Sequence, residues 1–106
     1  MNLNIKTKLA PNQEAELISV KAYTIFEVDG HKFFSHHPVV NKFDISFPDR
    51  WQCSEYFTGL SVTYIDFEYE DGAIEAVKII LTKRQAVLDN YIEKAIRQYG
   101  YANKED

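Results

Sequence analysis

Cysteine is almost missing from this chain. Cys53 is the single one in 106 residues, so no internal disulfide can form. That absence points to a reducing, cytoplasmic setting. Proline and glycine are scarce as well, at three and four residues. No repeat, low-complexity tract or linker is visible. Long apolar runs are missing too: the longest, Val77 to Leu81, is interrupted by Lys78 and is far too short to cross a bilayer. Met1 to Leu9 alternates polar and apolar residues without an apolar core segment, so it does not read as a secretory signal. Positive charge is in deficit. Twelve Lys and Arg face sixteen Asp and Glu, for a net charge of −4, which argues against direct nucleic-acid binding because phosphate-coating proteins present Lys and Arg.

Aromatics are what the chain has in surplus. Seven Phe, seven Tyr and one Trp make 14% of it, and such residues favour half-buried strand positions. The length fits one domain over 1–106, able to bury roughly 65% of its unfolded surface in a single core.

Leu3, Ile5, Thr7 and Leu9 alternate with polar neighbours and predict a strand with one wet face. Ile18, Val20, Ala22, Thr24, Phe26 and Val28 share one face of the next. Asp29-Gly30 is a strong hairpin signal, and His31 to His36 reads as the returning strand, stopped by Pro38. A short strand is expected within Phe43 to Phe47, and Pro48 to Thr58 reads mostly as loop. A second hairpin is expected from Leu60, through a β-bulge at Tyr64-Ile65 and a turn at Asp71-Gly72, back along Ala73 to Leu81. Thr82, with Gln85 three residues on, predicts a capped helix start. Val87, Leu88, Tyr91, Ile92, Ala95, Ile96 and Tyr99 form its apolar stripe, Gly100 ends it, and 101–106 reads as a frayed tail. The expected fold is α+β: an antiparallel sheet of about five strands with one C-terminal amphipathic helix packed on one face.

Chemistry-bearing residues are few. His31, His36 and His37 fall within seven residues, but on a strand at most two share a face, short of what zinc requires. Surface or hairpin histidines are the plainer reading. Cys53 is a nucleophile only if a histidine lies against it, and nothing near it in sequence supplies one. Asp66, Glu68, Glu70 and Asp71 put negative charge at a strand and turn, suited to solubility, to protecting an edge, or to meeting a basic protein surface. Trp51, Tyr56 and Phe57 crowd one segment, and aromatic-rich loops are frequent in binding surfaces.

Within that segment Trp51, Ser54, Glu55, Thr58, Gly59 and Leu60 form a pattern that resembles one found in small phage and prophage accessory proteins of unassigned function. The resemblance covers about ten residues and implies a mobile-element origin, with no chemistry attached. Together these features favour a non-enzymatic protein-binding module, with no cofactor or metal. Its concrete form is an accessory factor that inhibits a host protein, of anti-CRISPR or anti-restriction type. Candidate contact residues are Tyr23, Ile25, Phe33, Trp51, Tyr56, Asp66, Glu68, Glu70 and Asp71. A small metal- or ligand-binding protein or enzyme using His31, His36, His37 or Cys53 is the alternative. Several strands are apolar on both faces, so the open face of the sheet is expected to be covered by a protein partner or by a second copy in a homodimer.

Overall fold

Alternating residues near the N-terminus fold back on themselves first. In a computed structural model that describes residues 1–7, 16–41, 45–46, 49–63 and 66–104, β1 (Asn2–Thr7) pairs antiparallel with β2 (Glu16–Lys21). The register sets Leu3 opposite Val20 and Ile5 opposite Ile18, so one face of this ribbon is apolar. The chain then crosses into β3 (Ile25–Val28) and β4 (His31–His36), joined at Asp29-Gly30. Both turn residues have positive φ, 51° and 84°, as a two-residue hairpin with the twist of its strands requires. A small pair, β5 (Val39–Asn41) with β6 (Ile45–Ser46), follows. Finally β7 (Gln52–Glu55) docks antiparallel on β4, giving a three-stranded sheet in the order β3-β4-β7.

Adjacent residues on a strand point to opposite faces, and Phe33-Phe34 shows what that does here. Both are fully buried. Phe34 joins Leu3, Ile5, Ile18, Val20, Ala22 and Tyr56 under the β1–β2 ribbon. Phe33 joins Cys53, Ala73, Val77 and Leu81 under the helix α1 (Glu70–Tyr99). The central sheet is therefore covered on both faces by its own chain. The geometric reason for expecting a second copy, an open apolar sheet face, falls away.

The α+β class with antiparallel strands and one C-terminal helix is as expected; the place where the helix starts is not. Ala73 to Leu81, expected as a strand, is the front of α1, and Asp71-Gly72 lies in its first turn rather than in a hairpin. The β-branched residues of Ala73 to Leu81 favour a strand by propensity, but Ala73, Val77 and Leu81 recur every four residues, and those three are the ones buried. Glu70 and Asp71 sit where the helix dipole favours negative charge. The helical geometry breaks at Arg84 (φ −140°, ψ 34°), beside the expected start. Thr82 does not cap forwards: its hydroxyl donates to the Lys78 carbonyl at 2.9 Å, a bond that bends helices. Past the break only Ala95 is buried, while Leu88, Ile92 and Ile96 are half-covered.

Two further expectations change. Within the stretch read mostly as loop, Gln52–Glu55 form β7, and isolated bridges run from Trp51 to Phe67 and from Ser54 to Ser61. Residues 101–104 are not frayed. Ala102 N–H donates to the Phe57 carbonyl, and the Asn103 side chain bonds both Asn4 and the Tyr56 carbonyl. Gly59 permits that convergence. Its φ is +69°, and an added Cβ would lie 2.9 Å from Asn4 O and Lys6 N. The bulge expected at Tyr64-Ile65 lies outside the described residues.

Candidate functional site

The three histidines go to three places. His31, at the hairpin, contacts Asp89 on the far half of α1. His36 is buried beside Ser54, and His37 stacks by Trp51 at 4.3 Å between ring centres. Among the described residues no group of three or more His, Cys, Asp or Glu is arranged to hold a metal ion. Cys53 faces the helix, not a histidine. Burial, and secondarily the charge of Glu70, push its thiol up to about 12, so it stays protonated and unreactive at neutral pH.

The acidic residues separate in the same way. Glu70 is half-buried and accepts hydrogen bonds from the hydroxyls of Thr24 (2.8 Å) and Ser35 (2.7 Å). It fastens the start of α1 to the β3–β4 sheet and is not part of an acidic surface. Asp66, Glu68 and Asp71 are exposed. Asp66 accepts from the Gln52 amide, and Glu68 lies 3.5 Å from the Arg50 guanidinium. Glu55, almost fully buried, closes the turn after β7 by accepting from the N–H groups of Phe57 and Thr58.

Of the expected contact residues, Phe33 and Tyr56 are core, at 0% and 6% exposed, and offer no surface. Tyr23, Ile25 and Trp51 remain available in part. The fold brings two of them together with His37, which the sequence reading named only for the metal- or ligand-binding alternative. The Tyr23 ring stands edge-on to His37 and to Trp51, at 4.9 Å from each, with Tyr23 itself 44% exposed. His37 Nδ1 donates to the Arg50 carbonyl at 2.8 Å, which fixes the orientation of the ring. The Lys21 ammonium lies 4.6 Å over the Tyr23 ring. Beside the cluster opens a cleft of about 270 Å³, lined by Asn2, Ser19, Lys21, Tyr23 and His37, with Val20 and Val39 as apolar walls. The junction of His37 with Trp51 could have been found from sequence only by placing the two opposite each other, which the loop assignment for Pro48 to Thr58 prevented.

No protein family, curated protein or solved structure matches the chain. No helix of the described residues is long and apolar enough to cross a membrane.

Proposed function

We propose that this protein works by docking on another protein through the Tyr23–His37–Trp51 cluster. The observation that supports this reading is the combination of exposure and rigidity at Tyr23. The residue keeps close to half its surface in water, yet its ring is braced on two sides. An aromatic ring already fixed in place loses little entropy on binding, which is why Tyr and Trp anchor interfaces. Lys21 borders it, adding a charge. The narrower form of the proposal is a mobile-element factor that inhibits a host defence protein. Its support is the small acidic chain and the Trp51 to Leu60 pattern.

Capture from an extract of the source cell tests the contact surface. A partner retained by the wild type and lost with Tyr23→Ala is expected. Equal retention by the two proteins would remove the surface from consideration. For the narrower form, expressing the protein in cells with active restriction or CRISPR immunity should raise the yield of infecting phage. No change in yield counts against it.

A further inference from the structure

Ser54 follows Cys53 on β7 and so points to the opposite face, away from the helix. There its hydroxyl lies 2.8 Å from His36 Nε2. The other ring nitrogen, Nδ1, is 2.9 Å from the His37 carbonyl. A carbonyl only accepts, so Nδ1 carries the hydrogen, Nε2 is bare, and Ser54 donates to it. This is the orientation in which a histidine takes the proton of a serine that attacks. Burial holds the His36 pKa below its ordinary value, so the ring is neutral and able to accept at pH 7. Both side chains line a second cleft, of about 210 Å³. Ile5 and Val39 give it apolar walls, Ser61 a hydroxyl and Lys6 a positive charge.

We infer that Ser54 is a nucleophile, with His36 as its general base, that accepts a short acyl group from an activated ester. The step balances within the site. Ser54 Oγ bonds to the acyl carbon as its proton passes to His36 Nε2. The bond from that carbon to the leaving oxygen breaks, and the leaving alcohol takes the proton back from His36. The products are O-acyl-Ser54 and a free alcohol. The cleft of about 210 Å³ is the space in which the acyl group would sit beside Ser54. This inference is independent of the docking surface.

The test uses the full chain and p-nitrophenyl acetate. The expected result is a burst of p-nitrophenolate and an acetyl group mapped to Ser54 by mass spectrometry of peptides. His36→Gln should slow the burst by about 100-fold in folded protein, since a positioned base contributes at least that much. The wild-type rate should rise with pH through a midpoint below 6.5 as His36 loses its proton. Ser54→Ala should abolish the burst. If that variant fails to fold, the wild-type peptide map decides alone. Acetylation confined to lysines, no acetyl on Ser54, or a burst as fast in His36→Gln as in the wild type would each overturn the inference.

Discussion

Two regions of the central sheet use aromatic residues in opposite ways. On the helix side Phe33 is sealed between Cys53, Ala73, Val77 and Leu81, with Phe26 and Trp51 packed partly against it. At the other end Tyr23 stands out of the surface, braced by His37 and Trp51. Trp51 belongs to both, one part in the core cluster and one against Tyr23. The aromatic surplus of the sequence is thus divided, part holding the fold together and part offered to solvent in a fixed geometry. Composition alone gives the surplus, and only the fold gives the division.

The comparison breaks most sharply at Phe33. Phe33→Ala leaves a cavity under α1 and should cost about 3–5 kcal/mol in denaturant unfolding. A loss under about 1 kcal/mol would mean the helix does not seal that side. Gly59→Ala comes next. The left-handed backbone alone costs about 1–3 kcal/mol for an alanine, and here Asn4 O and Lys6 N also stand in the way of its Cβ. Unchanged stability would mean β1 and residues 101–104 do not close over the turn as described.

The pH dependence separates the faces further. His36 has a folded pKa below its unfolded 6.5, so below that pH the unfolded chain binds more protons. Stability should be flat above about pH 6.5 and fall as pH drops from there towards the folded pKa. His36→Gln should flatten that fall in urea melts at pH 5 and 7. Tyr23→Ala sits at the bottom of the scale. It should change stability by less than about 0.5 kcal/mol, as surface substitutions do. A loss of 2 kcal/mol or more, judged against the cost of truncating a core side chain, would make the cluster a structural plug rather than a binding surface.

Period-two patterning was legible wherever one face of a strand was buried and the other wet. β1 and the Asp29-Gly30 hairpin follow from it, and the span of β4, His31–His36, coincides with the reading, but the single strand read over Ile18 to Val28 divides into β2 and β3 in different sheets, with Ile18, Val20 and Ala22 under the ribbon and Phe26 and Val28 on the helix side. It failed at Ala73 to Leu81, where Ile74, Val77, Ile79 and Ile80 favour a strand locally. The helix there is set by packing of Ala73, Val77 and Leu81 on Phe33, a contact 40 and more residues away in sequence. β7 was missed for the converse reason. Gln52 to Glu55 is polar but for Cys53, and its buried Ser54 is satisfied by His36, a partner no local pattern reveals. The candidate site was legible in part. Tyr23 and Trp51 stood out as aromatics, whereas their junction through His37, and the pairing of His36 with Ser54 rather than of any histidine with Cys53, depend on the β4–β7 register.

The docking claim is tested most directly by placing a photo-crosslinking phenylalanine derivative at position 23 and, separately, at position 79, where Ile79 is half-exposed on the front of α1. Irradiated in the source cell, the position-23 protein should form one dominant adduct with a protein other than this chain, and the position-79 protein should form none. Adducts from position 79 with none from position 23 would contradict the account.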